Sequence, residues 1–294
     1  MRSSLREHVR LMRPRYWAKN LLVFVPAFLA DAFREEGVLL SCTVGFALLS
    51  LCASATYVFN DLADVELDRR HAAKKKRPLA SKAVSARSAG IMGLLLVAFA
   101  LACAFAWQPS LAAVLATYCL CSILYTVAVK KILLFDTFWL SGMHTARLVI
   151  GGILADVVLS GWLIAFSLVF FFSLTLAKRY CELVLSSRDG EGGIHGRAYT
   201  MRDATLLQSF GAASAVGSIV VLALYVTDRD YSGRYYTHPD YLWLPVLIIA
   251  AWLLHIWRKA HDGSLTSDPV SFALRDRTSL ALFMALVATM WLAK

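Results

Sequence analysis

Three aspartates and one asparagine occur together where a long apolar stretch ends, in the segment NDLADVELD at residues 60–68. If the predicted helix continues, Asp61, Asp64 and Asp68 fall at positions i, i+3 and i+7 and share one face. Neighbouring carboxylates repel each other unless a cation is present. Hard oxygen ligands suit Mg²⁺, which binds a few carboxylates together with substrate phosphate oxygens. The pattern therefore predicts a Mg²⁺ site formed by Asn60, Asp61, Asp64 and Asp68.

A basic segment, KKKRPL at residues 74–79, follows this acidic segment. A diphosphate leaving group requires cationic side chains beside a metal-binding carboxylate site. We therefore predict that Lys74 and Arg77 bind substrate. Two alternatives stay open for these charges: a solvated helix at the membrane edge, or contact of Lys74–Lys76 with anionic lipid.

Further candidate substrate ligands are polar side chains predicted at or near the ends of helices. They are Lys19, Tyr125, Lys130, Arg147, Lys178, Arg179, Glu182, Arg197 and Tyr199. Of these, Lys178, Arg179 and Glu182 fall within about one helical turn. Tyr125 and Tyr199 bind phosphate or ribose in one interpretation, and belong to an aromatic belt at the membrane surface in the other.

Arg147 lies inside a predicted membrane span. An arginine there costs about 2.5–3.5 kcal/mol to insert, so it usually faces a cavity or a partner. Binding of a substrate phosphate and a structural ion pair both stay open for Arg147. Asp136 begins the same helix and is a candidate partner, although it lies three turns away.

The composition indicates a membrane protein. The chain has 294 residues, of which 59% are hydrophobic and 17% charged, and its mean hydropathy is +0.60. Soluble domains average roughly 45–50% apolar and about 25% charged residues. The composition therefore excludes an ordinary soluble domain, a disordered chain, a disulfide-stapled module and a coiled coil.

Apolar stretches of about 20 residues predict nine transmembrane helices, because lipid leaves only helices as spanning segments in such a sequence. The predicted spans are 18–34, 38–59, 88–107, 110–129, 133–156, 160–180, 205–227, 241–259 and 271–293. Pro26 interrupts the first of them. We expect one all-α membrane domain over residues 1–294, with two catalytic loops at about 60–87 and 178–203.

Basic residues orient the predicted bundle. Most of the 30 Lys and Arg residues lie in the N-terminal segment and in every second loop, which the positive-inside rule places in the cytoplasm. We therefore predict a cytoplasmic N-terminus, an outer C-terminus and an active site that faces the cytoplasm. This distribution accounts for most of the net charge of +10 without a nucleic-acid partner.

Cysteine and histidine give no signal of a zinc site. Five of the six cysteines lie in apolar runs, where we interpret them as packing residues. Cys119 and Cys121 are too close for a usual zinc pair, and the histidines do not show metal-site spacing. His144 is interpreted as a packed, hydrogen-bonded side chain. The first apolar run has no small-residue cleavage site, so we expect a retained helix rather than a signal peptide.

The motifs NDxxDxxxD and KxRPL, with Tyr125-Thr126 and Lys130 at the end of the fourth span, resemble the UbiA superfamily of intramembrane prenyltransferases. This resemblance implies nine helices and two aspartate-rich cytoplasmic loops that hold Mg²⁺ and a diphosphate. The second loop departs from that pattern, because it reads KRYCEL at 178–183 and GRAYT at 196–200. Asp189 and Glu191 are the acidic residues left there, in a glycine-rich setting.

The second-loop motifs, together with RPRYWAKN at residues 13–20, look like the decaprenyl-phosphate phosphoribosyltransferase branch of that superfamily. The resemblance implies phosphoribosyl diphosphate (PRPP) as donor and a polyprenyl phosphate as acceptor, with Mg²⁺, or alternatively Mn²⁺, as the cofactor. The product that this resemblance implies is the precursor of a lipid-linked arabinofuranose donor, and the implied location is a bacterial plasma membrane. A downstream phosphatase is implied by the pathway alone, and a homo-oligomer is compatible with the sequence.

The resemblance assigns Mg²⁺ and the PRPP diphosphate to Asp61, Asp64 and Asp68. It leaves open whether the second-loop residues bind the 5-phosphate and ribose or the acceptor phosphate. Two other functions stay open. One is a UbiA-type enzyme that transfers a prenyl group from its diphosphate to an aromatic acceptor. The other is a transporter or lipid-binding membrane protein, which the one-sided charge distribution disfavours.

Overall fold

The structure is a computed structural model that describes residues 2–70, 74–188, 190, 192–194, 196–228, 233, 236–265 and 268–294, with the backbone alone for Arg2–Ser4. The described chain is helical, apart from turns and one isolated β-bridge between Gly193 and Thr200. Its α-helices are α1 (Arg2–Met12), α2 (Val25–Leu29), α3 (Val38–Ala63), α4 (Val65–Arg70), α5 (Ala86–Trp107), α6 (Pro109–Val127), α7 (Phe135–Leu154), α8 (Gly161–Arg188), α9 (Ala204–Thr227), α10 (Trp243–His261), α11 (Pro269–Ala273) and α12 (Arg277–Ala293).

Six helical segments of the described chain are long and apolar enough to cross a membrane. They are Val38–Ala63, Ala86–Trp107, Pro109–Lys131, Gly161–Arg188, Met201–Thr227 and Pro239–His261. Large apolar side chains such as Leu94, Leu95 and Phe99 are exposed on α5, as lipid contact requires. The protein is therefore a multi-pass membrane protein, and the count of nine spans stays a prediction.

The chain divides into two compact units. The first comprises residues 1–28, 32–132 and 146–158, and in it α3 packs against α5 and α6. The second comprises residues 29–31, 133–145 and 159–294, and in it α8 packs against α9 and α10. A buried cluster around Leu11 and Val58 lies in the first unit, and one around Val226 and Val246 lies in the second.

The first predicted span differs from the structure. Instead of one α-helix over 18–34, the chain forms a 3₁₀ helix at Pro14–Phe24 and then the short helix α2. The physical reason is Pro26, which lacks a backbone N–H and is tolerated only in the first turn of an α-helix. The α-helix therefore begins at Val25, next to the proline.

Two further predicted spans are changed by their polar residues. The stretch 133–156 is helical as α7, which contains Asp136, His144 and Arg147 and is not among the six candidate spans. The last stretch is interrupted, because Asp276 accepts a hydrogen bond from the Ser279 N–H and starts α12 afresh. The remaining predicted spans agree with the helices to within a few residues, except that α3 and α8 extend further at their C-termini.

Candidate active site

The C-terminal end of α3 presents a buried carboxylate cluster in the first unit. Asp61 is 2% exposed and Asp68 4% exposed. Nη1 of Arg77 donates to both carboxylates, at 3.0 Å to Oδ1 of Asp61 and 2.6 Å to Oδ2 of Asp68. The predicted continuous helix is interrupted at Asp64, which ends α3, and α4 begins at Val65. The break still leaves Asp61 and Asp68 close enough to bind the same guanidinium.

Arg13 is a second cation on Asp61, and the sequence motifs did not single it out as a ligand. Its guanidinium donates to Oδ1 of Asp61, 48 residues away in the chain. The backbone of Arg13 is left-handed, with φ 55° and ψ 55°, which costs a non-glycine residue about 1–3 kcal/mol. This turn joins α1 to the following 3₁₀ helix and brings the side chain to Asp61.

A cavity of about 460 Å³ opens beside this cluster. Its wall is formed by Arg10, Arg13, Pro14, Arg15, Asp61, Lys74, Lys76, Arg77 and Pro78. Six of these nine residues are basic and one is acidic, so the cavity suits an anion that carries several charges. The predicted substrate ligands Lys74 and Arg77 both lie here. Arg10, Arg13 and Arg15 are lining residues that the predicted ligand set lacks.

The donor set at Asp61 and Asp68 is chemically suited to Mg²⁺. Mg²⁺ is typically held by one or two carboxylates together with substrate phosphates and water. Here the two carboxylates already converge on the guanidinium of Arg77. Burial, followed by the charge of Asp61, raises the pKa of Asp68, and Arg77 and Lys74 offset only part of that rise. Within the described residues, no group of three or more acidic, His or Cys side chains is arranged to hold a metal ion. Of the predicted aspartates, Asp61 and Asp68 converge on Arg77, and the Mg²⁺ site of Asn60, Asp61, Asp64 and Asp68 stays a prediction.

Asp64 and Asn60 face different partners from Asp61. Oδ1 of Asp64 lies 2.5 Å from Nζ of Lys130, which is itself buried. Oδ1 of Asn60 accepts a hydrogen bond from Thr126 at 3.3 Å. These contacts join the end of α3 to the end of α6, where the half-buried Tyr125 also lies, and to the 3₁₀ turn Val129–Lys131 that follows it. Lys130 thus neutralises a carboxylate in this structure.

Arg147 belongs to another polar cluster of the first unit. Its Nε donates to Oδ1 of Asn20 at 3.0 Å and its Nη2 donates to the Tyr118 hydroxyl at 2.7 Å. Asn20 in turn donates to Ser50 at 3.0 Å. Asp136, the candidate neighbour predicted from the sequence, instead binds Arg179.

The predicted ligand Lys19 lies over the ring of Tyr16, at 5.5 Å from its centroid.

The second unit holds an arginine cluster around Asp136, which is fully buried in the first turn of α7. Oδ2 of Asp136 accepts from Nε of Arg179 and from Nη1 of Arg197, each at 3.0 Å. Oδ1 accepts from the Tyr199 hydroxyl. Burial and the adjoining Asp136 carboxylate raise the pKa of Tyr199 far above its usual range, so the phenol stays protonated.

Glu182 extends this cluster along α8. Nη1 of Arg179 donates to Glu182 at 2.7 Å, and Nζ of Lys178 lies 3.8 Å from the same carboxylate. The predicted grouping of Lys178, Arg179 and Glu182 within one turn of α8 is confirmed by these contacts. The predicted ligands Arg197 and Tyr199 join them through Asp136, which the sequence motifs did not assign to the site.

A tight loop positions Arg197 and Tyr199. The N–H of Ile194 donates to the Tyr199 carbonyl at 3.0 Å, and the N–H of Arg197 donates to the Ile194 carbonyl at 3.1 Å. Gly196 has φ 76°, a conformation that favours glycine. A Cβ on Gly193 would collide with the Tyr199 carbonyl oxygen. Asp189 and Glu191, the other acidic candidates in this region, lie outside the described residues.

Relatives with curated names cover most of this chain. A protein of Sinorhizobium fredii named y4nM is 35% identical over 91% of this chain, which spans only 52% of that protein. The nodulation protein NoeC of Azorhizobium caulinodans is 31% identical over 93% of this chain and 89% of its own length. A decaprenyl-phosphate phosphoribosyltransferase of Mycobacterium tuberculosis is 32% identical over 96% of this chain and 92% of its own length.

A solved structure shares the fold. The UbiA homolog from Archaeoglobus fulgidus bound to GPP and Mg²⁺ matches with a TM-score of 0.71 and 12% identity, over 97% of this chain and 99% of that one. The family model described as "UbiA prenyltransferase family" matches residues 21–292. That match includes Asp61, Asp68 and Arg77 of the first unit and the cluster around Asp136 in the second. The chain belongs to the UbiA prenyltransferase family.

Proposed function

We propose that this protein transfers the 5-phosphoribosyl group of PRPP to a polyprenyl phosphate, in the presence of Mg²⁺ and with release of diphosphate. The observation that carries the proposal is the cationic character of both clusters. A prenyl diphosphate has charge only at its head, whereas PRPP carries a diphosphate and a 5-phosphate, and the acceptor adds a third phosphate. A cavity with six basic residues and a second cluster built on Arg179 and Arg197 suit substrates with that much charge.

The first unit is assigned the diphosphate. Asp61 and Asp68 would hold Mg²⁺, with Asn60 and Asp64 as further oxygen donors nearby. The ion, when bound, neutralises negative charge on the diphosphate. Lys74 and Arg77 stabilise the departing diphosphate through their positive charge. Arg13 donates to the Asp61 carboxylate and so holds it in place.

The reaction itself exchanges one C–O bond for another. The bond between C1 of ribose and the diphosphate oxygen breaks, and its electron pair leaves with diphosphate. An oxygen of the polyprenyl phosphate attacks C1 from the opposite face and inverts it. Because that phosphate is already ionised at neutral pH, the step needs no strong general base. Positive side chains are therefore the main requirement on the protein.

The second unit is assigned phosphate or ribose binding. Lys178, Arg179, Arg197 and Tyr199 offer N–H and O–H donors, and Glu182 orients Arg179. A relative named as a decaprenyl-phosphate phosphoribosyltransferase, at 32% identity, supports the proposed reaction as a whole. A prenyl diphosphate suits the two clusters less well than PRPP does. It carries a single diphosphate, which would leave most of the basic residues of the two clusters without a role.

The test is a donor assay on purified protein in detergent. Radiolabelled PRPP and a short polyprenyl phosphate are supplied with Mg²⁺, and the label is measured in the organic phase. We expect label that vanishes on chelation and in the Asp61→Asn variant. Absence of label, with turnover of a prenyl diphosphate and an aromatic acid instead, would refute the proposal. Near-normal Mg²⁺-dependent turnover in folded Asp61→Asn and Asp68→Asn variants would refute the metal assignment.

A further inference from the structure

Asp136 is the most buried charge of the second unit's cluster, and it does not itself suit a phosphate. Its carboxylate has 0% exposure and accepts hydrogen bonds from Arg179, Arg197 and Tyr199. A buried carboxylate that directly faced a phosphate would repel it. Its place behind two arginines therefore indicates a role that acts through them.

The charge balance around Asp136 favours an anion. One carboxylate is shared by two guanidinium groups, so a single negative charge faces two positive charges. Glu182 and Lys178 add one negative and one positive charge beside them. A guanidinium carries five N–H donors in a fixed plane, and Asp136 accepts from one nitrogen of each arginine. The carboxylate thus fixes both planes without cancelling both charges.

Exposure distinguishes the two arginines. The side chain of Arg179 is 1% exposed and that of Arg197 is 22% exposed. Arg197 therefore reaches the surface of the second unit, as does Lys178 with 35% exposure. A ligand that arrives from outside the unit meets Arg197 and Lys178 first, and Arg179 contributes its charge from behind.

Tyr199 ties this arrangement to a strained turn. Its hydroxyl donates to Asp136 and accepts the N–H of Leu134 at 3.1 Å. Leu134 has φ 61°, an uncommon conformation for a bulky residue that persists where the surroundings enforce it. The phenol thus holds the start of α7, and with it Asp136, in one position.

We propose that Asp136 is a positioning residue that orients Arg179 and Arg197 to bind a phosphate monoester. The inference rests on the proposed function, in which two phosphate monoesters are available: the 5-phosphate of PRPP and the phosphate of the polyprenyl acceptor. Both offer three oxygens to a pair of arginine planes, which bind such groups with paired, charge-assisted hydrogen bonds. Binding measurements with separate probes distinguish the two sources.

The experiment compares wild type with Asp136→Asn and Asp136→Glu in the donor assay. It measures inhibition constants for ribose 5-phosphate and for inorganic diphosphate, together with the KM of the polyprenyl phosphate. These constants do not depend on the fraction of folded enzyme, so a partly unfolded variant still gives a clear answer. If wild type does not use PRPP, the proposed function fails before Asp136 is tested.

We expect Asp136→Asn to weaken binding of one phosphate monoester by at least tenfold and to leave inhibition by diphosphate within about twofold. Weaker ribose 5-phosphate inhibition assigns the arginine pair to the donor, and a higher KM for the lipid phosphate assigns it to the acceptor. Asp136→Glu is expected to restore part of the affinity, because it keeps the charge and moves it by one methylene.

Two controls keep the test falsifiable. Tyr199→Phe removes one donor to Asp136 and keeps every charge, so a smaller shift in the same constant is expected. Asp276→Asn removes another carboxylate of the second unit, which pairs with His255 at 2.8 Å, and should leave all three constants unchanged. Constants that stay unchanged in Asp136→Asn, or that weaken equally for diphosphate and for the monoesters, would overturn the proposal.

Discussion

The contact of Arg77 with two buried carboxylates makes a quantitative prediction about Mg²⁺. Substitution Arg77→Gln removes the cation that bonds Asp68 at 2.6 Å and Asp61 at 3.0 Å. Asp61 keeps Arg13, so most of the cost falls on Asp68. The Arg77 side chain is 27% exposed, which places the contact between a surface pair of 0–1 kcal/mol and a fully buried pair of 3–5 kcal/mol. We expect a loss of about 2 kcal/mol in metal-free protein.

Mg²⁺ should recover most of that loss. If Asp61 and Asp68 hold the ion, a divalent cation replaces the missing guanidinium charge and stabilises the folded state in proportion to its binding. The assay is thermal unfolding of wild type and Arg77→Gln in detergent, followed by tryptophan fluorescence over a Mg²⁺ titration. The thermal midpoint of the variant is expected to rise more with Mg²⁺ than that of wild type.

A matched control lies on α4, the short helix that carries Asp68. Arg69 pairs with Glu66 at 2.5 Å, but both side chains are exposed, at 36% and 71%. Substitution Arg69→Gln should therefore change the midpoint little and leave its Mg²⁺ response as in wild type. An Arg77→Gln variant whose deficit is the same with and without Mg²⁺ would refute the reasoning, because the two carboxylates would then not be a metal site.

Three further predictions concern neighbouring contacts. The variant Lys130→Met should lower the thermal midpoint more than the double variant that adds Asp64→Asn, because the single change leaves a carboxylate without its buried lysine; equal midpoints would contradict this. The variant Gly193→Ala should raise the KM for PRPP several-fold with little change in thermal midpoint, because its Cβ displaces the loop of Tyr199, and an unchanged KM would contradict it. Because burial raises the pKa of Asp68, the folded state takes up its proton above the ordinary Asp value of about 3.9. Mg²⁺ affinity, measured by titration at several pH values, should therefore fall on acidification sooner than for an ordinary Asp and stay flat above neutral pH, and a constant affinity down to pH 4 would contradict this.

The sequence predicted the local part of both clusters. The spacing of Lys178 and Glu182 on one turn of α8 depends only on helix geometry, and the structure shows it. Asp61 and Asp68 also converge as expected, although the helix predicted to carry both is interrupted at Asp64. Most span positions followed in the same way from apolar runs. The first span was the exception, because one proline decided between an α-helix and a 3₁₀ helix.

The tertiary part could not be predicted from the pattern. Asp136 lies 43 residues from Arg179 and 61 from Arg197, and spacing along one helix suggested Arg147 as its neighbour instead. Arg13 lies in a motif that the sequence already singled out, but its bond to Asp61 crosses 48 residues. Asp136 begins a predicted membrane span that also contains His144 and Arg147. An acidic residue in that position is a signal that could have identified Asp136 as a member of a charged cluster.

The lengths of α3 and α8 have a consequence for how the two proposed substrates would reach the protein. The two helices have 26 and 28 residues, or about 39 and 42 Å at 1.5 Å per residue, against a hydrocarbon layer of about 30 Å. Twenty residues from Val38 reach Tyr57, and twenty from Gly161 reach Tyr180, so each helix meets the headgroup layer where its charged residues begin. Under the proposed function, a water-soluble donor would need no passage through the hydrocarbon, and a lipid acceptor would diffuse sideways with its phosphate already at the depth of these charged residues.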